Sequence, residues 1–166
     1  MWILEDVLYI PMKNTNTIKY DFIASSYTHY FNQKQKKRAA GKYPHKVIDM
    51  LKEENLNKIK KMTRLENNWN GTGGSAFSDT AIHFFESIIG ALVKQPQIAP
   101  TGRNSLLMQY EKEDKSLLAF EVGERKTEKV YIPGGDFSLA QVQIFTENVS
   151  QRINESVECF YESGEN

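Results

Sequence analysis

A chain of 166 residues with 40% apolar, 11% aromatic and 25% charged residues has the length and composition of one globular domain with its own core, not of a fibre or a disordered tail. Net charge is zero, no run of about 18 apolar residues suggests a membrane-spanning helix, and one cysteine, Cys159, excludes an internal disulfide. With so few Cys and His a zinc cluster is not expected, and the simplest compartment is a reducing cytosol.

The charge is unevenly spread. Residues 1–66 carry 13 Lys/Arg against 7 Asp/Glu, and residues 67–166 carry 8 against 14. Such polarity can steer a partner or a second copy of the chain, or simply mark two solvated surfaces. At the N-terminus, Trp2-Ile3-Leu4 and Val7-Leu8-Tyr9-Ile10 read as a strand pair, or as a helix that stops before Pro11. Glu5 and Asp6 interrupt that run and no basic segment precedes it, which argues against a secretory signal. Lys13 to Thr17 reads as a turn. The next segment carries Tyr20, Phe22, Tyr27, Tyr30 and Phe31, and its second half leans to helix. With Trp2 and Tyr9 these rings are candidate anchors for a protein partner. A basic hinge follows, with Lys34, Lys36, Lys37, Arg38, Lys42 and Lys46 flanked by aromatics. It is a solvated hinge, a nucleic-acid contact or a dock for an acidic protein.

From residue 45 the pattern is clearer. Ile48, Leu51, Leu56, Ile59, Met62 and Leu65 fall three to five apart, predicting an amphipathic helix that ends near Glu66 or Asn67. After a glycine-rich stretch, Ser78 is a good N-cap, with Ala81, Phe85, Ile88 and Leu92 on one stripe of a second helix before Pro96. Alternation then predicts three strands, Ser105–Glu111, Ser116–Val122 and Thr127–Ile132, joined by short polar links. This is an antiparallel meander with one buried face. Beyond Gly134-Gly135, with Ser138 as a possible cap, Leu139, Val142, Phe145, Val149, Ile153, Val157 and Phe160 recur every three or four residues. They predict a C-terminal helix of about 22 residues, roughly 33 Å long, covering the sheet. The expected fold is α+β in a single domain, 1–160: an N-terminal segment 1–44 with its basic hinge, an α-α-β-β-β-α core 45–160, and a frayed tail 161–166.

The stretch WNGTGG, residues 69–74, is the first candidate for chemistry. Glycine turns ahead of a helix can bind phosphate through backbone N–H groups. The P-loop pattern needs Lys after its last glycine, and here Ser75 and Ala76 follow Gly74. The dinucleotide pattern needs a preceding strand, and a helix precedes. A tight bend, with Trp69 packed in the core and the glycines supplying positive φ, is favoured over an anion site. The histidines His29, His45 and His83 are scattered without HxxxH or HExxH spacing, so no metal and no cofactor is expected. Cys159, beside Phe160, reads as a small apolar filler rather than a nucleophile. Glu111, Glu113, Asp114, Glu121 and Glu124 could do acid–base work or hold magnesium, but a solvated face is favoured.

Asn68-Trp69-Asn70-Gly71-x-Gly73, then Phe77-Ser78 and an apolar helix, resembles a motif in a broad group of small, largely uncharacterised bacterial proteins that usually reads W-(N/D)-G-x-G-A. Ile98-Ala99-Pro100-Thr101, a small-residue turn and two strands resemble the same group downstream. The resemblance spans about residues 65–122 and departs at Gly74, where the group tends to have Ala. It implies a compact cytoplasmic α+β domain from accessory operons, including toxin–antitoxin and phage-defence sets. It implies no catalytic residue. The expected function is therefore non-enzymatic: binding another protein, as an antitoxin-like inhibitor or a defence-complex subunit, with no membrane contact and a possible homo-oligomer. Alternatives are a nucleic-acid-binding module using residues 34–46 and a nucleotide-binding enzyme at the glycine bend, where Trp69, Asn70, Gly71, Gly73 and Ser78 read as a structural motif.

Overall fold

The computed structural model describes residues 45–162, with side chains from residue 49 onward. The expected strand pair, aromatic helix and basic hinge of segment 1–44 lie outside the described residues. Within the compact unit that begins at His45, the order is α1 (His45–Met62), α2 (Asp79–Ala91), β1 (Gln97–Pro100), β2 (Leu106–Glu111), β3 (Leu117–Val122), β4 (Thr127–Ile132), β5 (Gln141–Phe145) and α3 (Val149–Glu162). Two 3-10 turns, Pro133–Gly135 and Phe137–Leu139, join β4 to β5. The fold is α+β, as expected, and all five strands pair antiparallel in chain order.

The sheet thus has two more strands than the expected three. β1 is only four residues long and ends in proline, too short for alternation to register. β5 lies where the long helix was expected to begin. Gln141-Val142-Gln143-Ile144-Phe145 alternates with period two and is rich in β-branched side chains, so it fits a strand as well as a helix. The open edge of β4 decides the matter by pairing with it. Asn148, in the left-handed region at φ 53°, separates the strand from a last helix of 14 residues rather than about 22. Ser138 caps no long helix; its N–H donates to Asp136 Oδ1 (2.9 Å) in a 3-10 turn. α1 stops at Met62, short of the expected Glu66, and α3 extends through Glu162 into the expected tail.

All three helices direct their buried side chains onto one face of the sheet. Ile59 and Met62 of α1, Ala81, Phe85, Ile88 and Ile89 of α2, and Ile153, Val157 and Phe160 of α3 join Leu106, Met108, Tyr110, Leu118, Phe120, Val122 and Phe145 in one core. Wholly buried rings such as Phe85 and Phe120 each contribute about 1.5–3 kcal/mol. The expectation of a single buried face is corrected on the other side. Leu117, Ala119, Val130 and Ile132 are buried there too, outside the helix-side cluster. The run Leu117-Leu118-Ala119-Phe120 is apolar at every position because β3 is buried on both faces.

Polar joints fix the helices to one another. The last carbonyls of α2 have no partner within the helix. Lys52 Nζ donates to Gly90 O (2.9 Å), Asn154 Nδ2 to Ala91 O (3.0 Å), and Gln95 Nε2 to Ile89 O (3.0 Å). Asn55, buried in α1, donates to Pro96 O (3.0 Å) ahead of β1. One helix terminus therefore receives a side chain from α1, from α3 and from the loop that starts the sheet.

Candidate functional site

The WNGTGG stretch connects α1 to α2, and its hydrogen bonds account for its shape. Asn68 and Gly71 and Gly73 adopt positive φ, which Asn and Gly tolerate best. Asn70 Oδ1 accepts from the N–H groups of Thr72 (3.0 Å) and Gly74 (2.8 Å). Asn68 Oδ1 accepts from Gly73 (2.8 Å), Asn67 Oδ1 from Ala76 (3.0 Å), and Asn68 O from Gly71 (2.9 Å). The donors that would cradle a phosphate are occupied by the loop's own asparagines. At the start of α2, Ser78 Oγ accepts from Ala81 N–H (3.0 Å) and donates to Glu124 Oε1 (2.6 Å). An anion arriving at this helix end would meet the carboxylates of Glu124 and Asp79.

Trp69 does not enter the core as expected. It is half-buried, and its indole N–H donates to Ser75 O (3.2 Å), closing the loop on itself. An indole needs a partner for that N–H, and the backbone of the bend supplies it. Gly74 also has a geometric reason. A Cβ there would lie 2.8 Å from the Asn70 carboxamide and 2.9 Å from Trp69 Nε1. Gly102, between β1 and β2, brings its backbone equally close, since a Cβ there would lie 2.7 Å from Asn70 Nδ2. Asn70 thus ties the bend together through Thr72 and Gly74, and its carboxamide lies against the first turn of the sheet.

The acidic residues do not converge. Glu121 accepts from Ser105 Oγ (2.6 Å) and from the Arg103 guanidinium through Nε (3.0 Å) and Nη2. Glu124 accepts from the Ser78 hydroxyl, Glu113 is exposed, and Asp114 organises the β2–β3 turn. Hydrogen bonds from the Ser116 backbone and hydroxyl hold Asp114 below the usual carboxylate range. Burial raises Glu111 at the far end of β2. Burial also raises Glu128, which lies across from Glu121 with Lys126 Nζ at 3.6 Å. Among the described residues no group of three or more His, Cys, Asp or Glu could hold a metal ion. Cys159, expected as an apolar filler, is exposed because it lies on the outer side of α3 from Ile153, Val157 and Phe160. His83 is exposed as well, near Glu86.

Of the expected binding residues, Trp2, Tyr9, Tyr20, Phe22, Tyr27, Tyr30, Phe31, Lys34, Lys36, Lys37, Arg38 and Lys42 lie outside the described residues. Lys46 falls in the first turn of α1, with its side chain outside them too.

The surface that stands out was not singled out from sequence. Phe137, Leu139, Val142 and Ile144 are 51%, 56%, 45% and 56% exposed within one eight-residue span. Val142 and Ile144 share a face of β5, opposite Val130 and Glu128 of β4. Among the described residues β5 is an edge strand, with neither charge nor proline, the devices that usually blunt an edge. The other edge is protected: β1 ends in Pro100 and follows Pro96. On the helix side of β5, Gln143, Phe145, Asn148, Gln151, Arg152 and Glu155 line an open polar cleft of about 290 Å³. The Arg152 guanidinium lies over the Phe145 ring at 5.5 Å. The sequence signal for this strand is the alternation QVQIF, which also fits a helical pattern.

No family model, curated protein or solved structure matches this chain. No helix among the described residues is long and apolar enough to cross a membrane. Fold and surface together define, among the described residues, a helix-backed antiparallel meander in which β5 has no further strand beside it.

Proposed function

We propose that the chain is a small bacterial accessory protein that acts by binding another protein, as an antitoxin-like inhibitor or a subunit of a phage-defence complex in the cytoplasm. The observation that carries this reading is the exposed apolar side chains Phe137 and Leu139 of the 3-10 turn and Val142 and Ile144 of β5, the outermost strand among the described residues. Apolar side chains concentrated in this way on a small domain mark a docking surface. The resemblance of the WNGTGG region to accessory-operon proteins supports the choice of partner, a protein encoded beside it. The nucleotide-enzyme alternative loses support at the bend, where asparagine side chains and Glu124 take the positions an anion would need.

Co-expression with the neighbouring genes of the native operon tests the proposal. One neighbour should co-purify in stoichiometric amount with the native chain and be lost from the double variant Leu139→Lys, Ile144→Lys, whose thermal stability should hold. A chain that emerges alone, or a double variant that retains the partner, would overturn it.

A further inference from the structure

The ladder fixes which backbone groups β5 leaves open. The Gly123 N–H donates to Lys126 O (3.0 Å), which closes the β3–β4 hairpin with a hydrogen-bonded pair. Bonded and non-bonded pairs alternate along antiparallel strands. Glu121/Glu128, Ala119/Val130 and Leu117/Ile132 are then the bonded pairs of β3 and β4. The β2–β3 hairpin, closed from the Lys112 N–H to Ser116 O (3.0 Å), gives the same phase. Thr127, Lys129 and Tyr131 therefore turn their backbone groups to β5, where they face Phe145, Gln143 and Gln141. The N–H and C=O of Val142 and Ile144 point away from the sheet.

We infer that this edge pairs with the same edge of a second copy, antiparallel about a two-fold axis at Gln143. That register sets Val142 against the partner's Ile144 on both sides of the axis. Each such pair exchanges two backbone hydrogen bonds, so all eight outward groups of the two strands are satisfied at once. On one face the two Val/Ile pairs form a continuous apolar patch, a favourable cross-strand combination. On the other face Gln143 meets its own counterpart, with no like charge at the axis. A neutral strand is required there, since an isologous contact opposes each axial residue to itself. Gln141–Phe145 meets that requirement. The result is a ten-stranded sheet in which the apolar side chains of both copies lie side by side, widening the surface proposed above for a protein partner.

Sedimentation velocity of the full chain across a dilution series tests this. The native chain should sediment with the mass of two chains. Gln143→Lys and Gln143→Glu should each sediment as one chain, because like charges then face each other at the axis, while their equimolar mixture should recover the two-chain mass. Gln143 is exposed, so neither change disturbs the core. A native chain of single-chain mass at every concentration, or variants that pair as the native chain does, or a mixture that stays single, would each overturn the inference. Gln143→Lys leaves Phe137, Leu139, Val142 and Ile144 intact. If the operon partner still binds this variant, self-pairing and partner binding are separate, and loss of one is distinguishable from loss of the other.

Discussion

Replacing Asn70 with alanine removes the side chain that ties the α1–α2 bend together and lies against the β1–β2 turn. Asn70 Oδ1 accepts two backbone N–H groups, from Thr72 and Gly74, and the second is part-buried. Each hydrogen bond is worth about 0.5–1.5 kcal/mol, and an unpaired buried donor sits at the upper end. The expected loss is about 2 kcal/mol. For a chain of this size it should lower Tm by about 4–8 °C. Urea unfolding followed by circular dichroism gives the free energy, and the fluorescence of Trp69, whose indole bonds within the same loop, reports the local change. Asn70→Asp keeps the acceptor and should retain most of the stability. If Asn70→Ala leaves the urea midpoint unchanged, the side chain is not holding the bend, and the loop's donors are free for another purpose. A stability rise in Asn70→Ala would argue the same way, since binding residues are often retained at the expense of stability.

Other outcomes follow from single side chains. Gly74→Ala should destabilise by about 1–3 kcal/mol, because the added methyl meets Asn70 and Trp69 within 3 Å; equilibrium unfolding would show it. Thr127 is fully buried and its hydroxyl has no hydrogen-bond partner among the described residues. Thr127→Val removes that desolvated group and should raise stability by about 1–2 kcal/mol, seen as a higher Tm. Burial raises the Glu128 carboxyl, so the folded state holds its proton more tightly than the unfolded state. Its penalty is absent below the unfolded carboxylate range and grows as pH rises through the folded value. Glu128→Gln should therefore stabilise at neutral pH and lose its advantage in acid, a pH series of denaturation midpoints being the check. Tyr110, buried and donating to Lys94 O (2.9 Å), has its phenol pushed far upward by burial. Tyr110→Phe should cost about 1 kcal/mol by thermal melting, with no new dependence on pH below the phenol range.

Much of the fold is legible in the residue order because local physics wrote it. The period of Ile59, Met62, Phe85 and Ile88 makes helices, and Ser78 starts one of them by capping Ala81. Alternation in Leu106, Met108 and Tyr110 makes a strand, with bounds that hold to one residue. The Gly71 and Gly73 bend is likewise local, since positive φ is a property of the residue. Tertiary structure decided the rest. QVQIF satisfies a helical and a strand pattern equally, and the free edge of β4 made it a strand. Trp69 is apolar enough for a core, yet a carbonyl within reach of its indole kept it at the surface of the bend. Gly74 reads as mere flexibility until Asn70 is seen 2.8 Å from where its Cβ would stand. The candidate site follows the same division. The exposed Val142 and Ile144 are ordinary core residues by composition, and only their place on an outer strand leaves them exposed.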